Sequence, residues 1–391
     1  MFNIKVLNNI SPVGLALFPQ ENYRIKMEDG PTDAIILRSA SLHDKPVSPK
    51  LKAIARAGAG VNNIPVEKMT DLGIPVFNTP GANANAVKEL VIAALLIASR
   101  FLCSSWLKTN QLKGDNVATQ VESLKKEFTG SELPGKKLGI IGLGAIGVQV
   151  ANTALNLGME VIAYDPHITI SNAWQLSAQA EQASSMTEVL QAADFISLHV
   201  PYMESTHHLI NKTTINHLKK GSILLNFSRA NIVDEASLLN ALEENKLARY
   251  VTDFPNENLI NQEKVLCFPH LGASTIEAEE NCAMMAVNTL KRFLEYGETT
   301  NSVNFPSVTM PYQEGVRVAI ANKNVPNMLS QISNVIAEEK LNIRDMINRS
   351  QDEIAYTLID VDKPLGEKGI QSLKNINGVI NHRILIPRNL K

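Results

Sequence analysis

Neither sign of charge is in excess in this sequence. Lysine and arginine number 37 against 39 aspartates and glutamates, a net charge of -2. The chain therefore has no general basic face with which to neutralise nucleic-acid phosphates, and any anion site must be local. Cysteine is scarce: Cys103, Cys267 and Cys282 form an odd set without C-x-x-C spacing, which suggests neither a disulfide framework nor a zinc site and fits a reducing, cytoplasmic setting. Long apolar runs are missing too. The longest, "LVIAALLIAS" at residues 90 to 99, is too short to span a bilayer and reads as a buried helix. The N-terminus lacks a basic region followed by a sustained apolar stretch. No metal, nucleic-acid partner or membrane partner is expected.

What is present is an ordinary globular composition, 45% hydrophobic and 19% charged, over 391 residues. That length exceeds what one hydrophobic core usually organises, so two or three domains are expected. The first hundred residues alternate short apolar runs, "NIKVLN", "DAIILRS", "LKAIARAG" and "IPVFNTPG", with polar helix-like stretches, the pattern of βα units building a parallel sheet. After an irregular polar segment near "NQLKGDNVATQ", a second α/β series runs from "KKLGIIGLGAIG" to "ARYVTDF". Residues 275 to 296 carry the Ala, Met, Leu and Glu of a long helix, with Ser274 or Thr275 as N-cap. From residue 314 the apolar pattern reads β-α-β-β-α-β, a ferredoxin-like module. The fold class expected is α/β, with two Rossmann-like doubly wound parallel sheets followed by that smaller βαββαβ domain.

"GLGAIG" sets Gly142, Gly144 and Gly147 at G-x-G-x-x-G spacing. The pattern alone is weak, but "KKLGII" reads as a strand before it, a helix follows, and the next strand ends in Asp165, which together make a dinucleotide-binding signature. The first glycine permits the tight turn, the second lets the backbone approach a pyrophosphate at the helix N-terminus, and the third lets helix and sheet pack closely. Asp165 would accept hydrogen bonds from the adenosine ribose hydroxyls and repel a 2′-phosphate, so NAD is expected over NADP.

Two later segments follow apolar strands, where such a sheet presents its ligand crevice: "ILLNFSRANIVDE" with Arg229 and "VLCFPHLGAST" with His270. A 2-hydroxy acid offers a carboxylate to a guanidinium fork and a hydroxyl whose proton must leave as hydride departs, a task suited to histidine near neutral pH. A neighbouring carboxylate would orient the imidazole and favour its charged form. The stretch before His270 offers Asp253, Glu257 and Glu263 without distinguishing them.

In this order "GLGAIG", "YDP", "NFSRANIVDE" and "PHLGAST" closely resemble the D-isomer-specific 2-hydroxyacid dehydrogenases, over nearly all of residues 1 to 305. The C-terminal module resembles an ACT regulatory domain, which narrows the likeness to members that oxidise D-3-phosphoglycerate to 3-phosphohydroxypyruvate, the first step of L-serine synthesis. The resemblance implies a substrate-binding domain at residues 1–98 and 276–305, an NAD-binding domain at 99–275, a linker at 306–313 and an ACT domain at 314–391. It implies that Arg229 binds the substrate carboxylate, that His270 is the acid/base and that an acid lying between them assists. Gly142, Gly144, Ala145, Ile146, Gly147, Asp165, Val200, Pro201, Phe227, Ser228, Arg229, Asp253, His270, Gly272 and Ala273 would line the NAD site. "LRSAS" and "RAGAGVNN" match the family's substrate loops, which makes Arg38, Ser39, Arg56, Gly58, Ala59 and Gly60 candidates for the substrate's anionic groups.

The chain departs from the family's Asp-Val-Phe-x-x-Glu-Pro, reading "DFPNENL" instead. Asn258 takes the glutamate position, and a one-residue deletion would bring in Glu257, the favoured partner of His270. Ala230 replaces the glycine usual after the arginine. In the ACT-like module Asn324 and Asn342 match positions that hydrogen-bond serine in serine-inhibited members, and Asn322 stands where those members carry a histidine. The resemblance also implies a homodimer through the NAD domains, or a homotetramer. Two alternatives stay open at this level: a reductase of another 2-oxo acid such as 2-oxoglutarate or glyoxylate, and an NAD-binding protein of corepressor type.

Overall fold

A computed structural model of the chain describes residues 1–26 and 30–386. They form three sheets and divide into two compact units, residues 1–82 with 279–386 and residues 83–278, as far as they are described.

The first unit opens on five parallel strands in the order β2-β1-β3-β4-β5: β1 (Phe2–Leu7), β2 (Tyr23–Lys26), β3 (Ala34–Leu37), β4 (Ala53–Arg56) and β5 (Val76–Phe77). These are the short β-branched and alanine-rich runs read from the sequence, and Ile4, Ala34, Ile36, Ala53 and Ala55 are buried along them. The helix Ile276–Tyr296 packs on this sheet through Ala286, Val287, Leu290, Phe293 and Leu294. Thr275 is its N-cap, its Oγ1 accepting the N–H of Ala278 at 3.1 Å.

The C-terminal module is a four-stranded antiparallel sheet, order β14-β15-β13-β16, built from β13 (Val316–Lys323), β14 (Ile343–Gln351), β15 (Ile354–Val361) and β16 (Val379–Leu385), with helices Met328–Glu338 and Glu367–Asn375. The βαββαβ order is the one expected. Its relation to the first sheet is not evident from the sequence. Val316, Val318 and Ile320 of β13 face the module's own helices, whereas Ala319 and Ala321, with Tyr356, Leu358 and Leu385, join the core of the first sheet. Strand alternation has thus been divided between two cores, and small residues occupy the side where another layer approaches. Arg317 lies on that second side with none of its surface exposed, gripping both oxygens of Asp360 at 2.7 Å and donating to the carbonyls of Met310, Tyr296 and Pro311.

The second unit is a seven-stranded parallel sheet, order β12-β11-β10-β9-β6-β7-β8, from β6 (Lys137–Ile141), β7 (Glu160–Tyr164), β8 (Glu181–Gln182), β9 (Phe195–Leu198), β10 (Ser222–Asn226), β11 (Leu247–Thr252) and β12 (Val265–Cys267). The strand order reverses between β6 and β9, the switch point at which doubly wound sheets bind ligands. The run at residues 90 to 99 lies in the helix Ala84–Arg100, whose Val87, Val91, Ala94, Leu95 and Ala98 pack with Leu138, Ile140 and Leu225 of this sheet. The unit accordingly begins at Asn83, ahead of the boundary at residue 99 expected from sequence. No single helix among the described residues is long and apolar enough to cross a membrane. The segment expected to be irregular contains the helix Val117–Leu124, since Val117, Val121 and Leu124 recur at helical spacing.

Candidate active site

β6 delivers its chain into a turn at Gly142, and the helix Ala145–Asn156 starts directly after Gly144. Gly142 has φ +97°, and a Cβ there would meet the His199 backbone at 2.7 Å. Glycine is required by conformation and by space. A Cβ on Gly147 would fall on the Gly142 carbonyl oxygen, so helix and turn are in van der Waals contact. Gly144 is different: a Cβ there meets nothing within 4 Å. The first and third glycines thus serve packing, and the second leaves open space at the helix N-terminus, where a pyrophosphate finds unpaired backbone N–H groups. Ala145 is exposed there and Ile146 half-buried.

Asp165, at the end of β7, accepts the N–H of Leu143 at 2.7 Å through Oδ2 and that of His167 at 2.8 Å through Oδ1. Its carboxylate shapes the glycine turn and keeps acceptor capacity beyond these two bonds. His199 was not singled out by the sequence. Its backbone backs the Gly142 turn, its Nε2 lies 2.8 Å from Ser197 Oγ, and burial pushes the ring down to about 4. Val200 is half-buried beside this turn and Pro201 is exposed.

The next strand end carries Phe227, Ser228 and Arg229. Phe227 is buried, and Ser228 donates from Oγ to the Leu198 carbonyl at 2.6 Å. Arg229 is exposed, its Nη1 donating to the Ser228 carbonyl at 2.6 Å. Sequence reasoning missed what holds this loop. Asn226, with none of its surface exposed, donates from Nδ2 to the Arg229 carbonyl at 2.9 Å and to Tyr250 Oη at 3.2 Å. Thr252 Oγ1 donates to the Asn226 carbonyl at 3.0 Å. An asparagine closing a buried strand was the available signal, since an amide in that position needs partners.

Past β11, Asp253 is 1% exposed. Its Oδ2 accepts the Gly272 N–H at 3.0 Å, and its Oδ1 is buried with no partner. Burial pushes its carboxyl up, opposed by the Gly272 N–H and by the charges of His270 and Arg229. Asp253 is therefore the acid whose charge is coupled to both. His270 stands at φ +50°, its N–H donating to the Asp253 carbonyl at 3.0 Å and its ring edge-on to Phe254 at 5.0 Å. The ring side is exposed, as an acid/base reaching substrate requires. Gly272 is buried and Ala273 half-buried beside it.

Glu257 does not come to His270: among the described residues no carboxylate lies within ion-pair distance of that ring. The loop is anchored elsewhere. Asn256 and Asn258 both donate to Glu235, and Asn256 Oδ1 caps the N–H groups of Asn258 and Leu259 at 3.1 Å, which leaves Glu257 exposed.

In the first unit, Arg38 follows β3 and Arg56 closes β4, and the sheet register sets Leu37 beside Arg56. Arg56 Nε donates to the Arg38 carbonyl at 3.0 Å, and Asn63 Nδ2 donates to the same oxygen at 3.2 Å. Gly58 takes φ +152°, a backbone conformation that favours glycine, and a Cβ there would lie 2.5 Å from Arg56 Nη1. Asn78 holds the Ala59 carbonyl at 2.7 Å; Ser39 and Ala59 are exposed, Gly60 half-buried.

In the C-terminal module Asn322 is 1% exposed, its Nδ2 donating to the Lys323 carbonyl while Oδ1 has no partner. Asn324 Nδ2 donates to the Asp352 carbonyl at 3.0 Å, and the Asn342 N–H donates to Asp362 Oδ1 at 2.9 Å. One chain does not bring Asn324 and Asn342 together. The first follows the end of β13 paired with Ile354 and the second precedes the end of β14 paired with Val361, about seven residues or roughly 23 Å along the sheet.

Residues 96–272 match the model of the D-isomer specific 2-hydroxyacid dehydrogenase, NAD binding domain. The D-3-phosphoglycerate dehydrogenase of Haemophilus influenzae is 35% identical over 350 residues, which cover 86% of this chain and 82% of that one. The chain belongs to the D-isomer-specific 2-hydroxyacid dehydrogenase family. As a member it is an NAD-dependent dehydrogenase, and the open space at Gly144, the carboxylate of Asp165 at the end of β7 and the orphaned Oδ1 of Asp253 fit that cofactor. The D-3-phosphoglycerate dehydrogenase of Methanocaldococcus jannaschii is 33% identical over 78% of this chain and 58% of its own length. Among solved structures, the NAD+-bound 3-phosphoglycerate dehydrogenase of Entamoeba histolytica superposes with a TM-score of 0.60 at 27% identity, covering 77% of this chain and 98% of that one. The D-mandelate dehydrogenase of Rhodotorula graminis, 23% identical with a TM-score of 0.66, shares the fold.

Proposed function

We propose that this dehydrogenase oxidises D-3-phosphoglycerate to 3-phosphohydroxypyruvate with NAD, the step that opens L-serine synthesis. The relatives' identity over most of the chain carries the substrate, and the charges of His270 and Arg229 acting on the buried Asp253 support the chemistry. NAD, when bound, supplies the hydride acceptor.

Arg229 takes the substrate carboxylate through its guanidinium fork and so orients C2. His270 removes the hydroxyl proton at its exposed ring nitrogen as the hydride leaves. Asp253, buried and hydrogen-bonded to Gly272, holds the loop of His270 and stabilises the imidazolium that forms. Glu257, the acid favoured by the family's spacing, is exposed and makes no ion pair with His270 among the described residues, and Asp253 is the acid proposed in its place. The Asp253 Oδ1 without a partner suits a donor on the nicotinamide side of the cofactor. Arg38 and Arg56, with Ser39 and the loop at residues 58–60, take the phosphate. A cytoplasmic setting fits three unpaired cysteines.

L-Serine as effector of the C-terminal module belongs to the same reading. Because Asn324 and Asn342 lie at opposite ends of one sheet, a serine site using both takes one from each of two copies, which ties the effector to a homo-oligomer. Millimolar serine should lower activity and raise the melting temperature; neither change would remove the effector.

Turnover decides the main reading. NADH oxidation with 3-phosphohydroxypyruvate should exceed that with 2-oxoglutarate or glyoxylate. His270→Ala should lower kcat by roughly 10²- to 10⁴-fold while NADH still binds. A histidine variant with wild-type kcat would overturn the assignment.

A further inference from the structure

The backbone at Arg38 is held by Arg56 and Asn63, but its guanidinium is engaged by a residue that sequence reading did not select. Arg38 Nη1 lies 2.5 Å from Oε1 of Glu279, with the two side chains 34% and 45% exposed. Glu279 projects from the first turns of the helix Ile276–Tyr296, and three residues on, the buried thiol of Cys282 feels the charges of Arg38, Arg56 and Glu279 together. The cluster proposed to take the substrate's phosphate therefore contains two guanidinium groups and one carboxylate of its own.

We propose that Glu279 is a built-in counter-anion of the phosphate site, holding Arg38 until the substrate's phosphate displaces it and thereby setting the affinity for substrates with a distal anion. The inference rests on the reading of Arg38 as a phosphate ligand. A carboxylate and a phosphate oxygen compete for the same guanidinium edge. Phosphate brings close to two charges and three acceptor oxygens against one charge and two oxygens, so it is the anion able to replace Glu279. The ion pair is part-exposed and hence weak enough to be exchanged. A 2-oxo acid without a distal anion leaves the pair intact, and Arg38 is not orphaned. The site thus accommodates either case, with Glu279 weakening the hold on dianions.

The test compares the full-length wild type, Glu279→Gln and Glu277→Gln, an exposed glutamate two residues away on the same helix. With 3-phosphohydroxypyruvate, Glu279→Gln should lower KM about two- to fivefold, with the effect on KM rather than kcat, and Glu277→Gln should not. The melting shift produced by millimolar inorganic phosphate should also be larger in Glu279→Gln than in wild type. An unchanged or raised KM in Glu279→Gln overturns the proposal. If the wild type does not turn over 3-phosphohydroxypyruvate, the substrate reading fails by itself. The phosphate-induced melting shift then decides: larger in Glu279→Gln supports the counter-anion, equal or smaller refutes it.

Discussion

Gly272 donates its backbone N–H to Oδ2 of Asp253 across 3.0 Å. Two residues earlier, His270 donates its own N–H to the Asp253 carbonyl, also at 3.0 Å. One buried aspartate thus fixes both the left-handed backbone at His270 and the turn after it, and its charge is coupled to the imidazole. In Asp253→Asn the amide oxygen can still accept from Gly272, so the loop is kept and only the charge goes. Removing the one buried carboxylate beside the His270 loop should lower kcat/KM for oxidation while NADH still binds. Glu257→Gln should leave kcat/KM in place. The reverse pattern would return the role to Glu257.

The exposed Arg229 guanidinium donates to the neighbouring Ser228 carbonyl and can turn its fork to a carboxylate. Arg229→Lys keeps the charge and loses the bidentate geometry. The expected loss in kcat/KM for the 2-hydroxy acid is about 10- to 100-fold, the worth of a charge-assisted hydrogen bond, with NADH affinity retained in fluorescence titration. Near-wild-type kinetics would remove Arg229 from substrate binding.

The glycines of the turn separate fold from ligand. Gly147→Ala places a methyl on the Gly142 carbonyl oxygen and should cost about 1–3 kcal/mol as overpacking. Gly144→Ala places its methyl in open space, so the melting temperature should hold while NADH binding is lost, because the pyrophosphate approaches there. Intact NADH binding in Gly144→Ala would place the cofactor elsewhere.

Arg317 and Asp360 form a fully buried pair. Asp360→Ala leaves the guanidinium uncompensated and should destabilise the first unit by about 3–5 kcal/mol in urea unfolding. Replacing both partners by apolar residues, Arg317→Met with Asp360→Leu, should recover most of that loss. A small effect of Asp360→Ala would mean that the three carbonyls alone suffice for Arg317.

His199 is held near 4 by burial, whereas an unfolded histidine titrates near 6.5. Between these values the unfolded chain binds the extra proton, so stability rises with pH across roughly 4 to 6.5 and falls as the medium is acidified through it. The window is worth about 3 kcal/mol at most. His199→Gln should flatten that part of the melting profile, and an unaltered slope would assign it to carboxylates instead.

Periodicity and motif spacing were enough to read the βα units, the glycine turn between β6 and its helix, and the βαββαβ order, because each depends on neighbours in sequence. The helix Ala84–Arg100 went to the second sheet because its apolar face found Leu138 and Leu225, which no local pattern announces. Residue order left the acid beside His270 open among Asp253, Glu257 and Glu263, and the family's spacing favoured Glu257, whereas in the fold the loop's asparagines bond Glu235 and Glu257 is exposed. The double use of β13, the hold of Asn226 on Arg229 and the pairing of Arg38 with Glu279 likewise join residues far apart in the chain. The sequence by itself determined which chemistry the chain carries, since helix and strand periods and glycine conformations are local properties. Tertiary structure alone decided which charges meet, since Coulomb attraction and burial depend on distance in space.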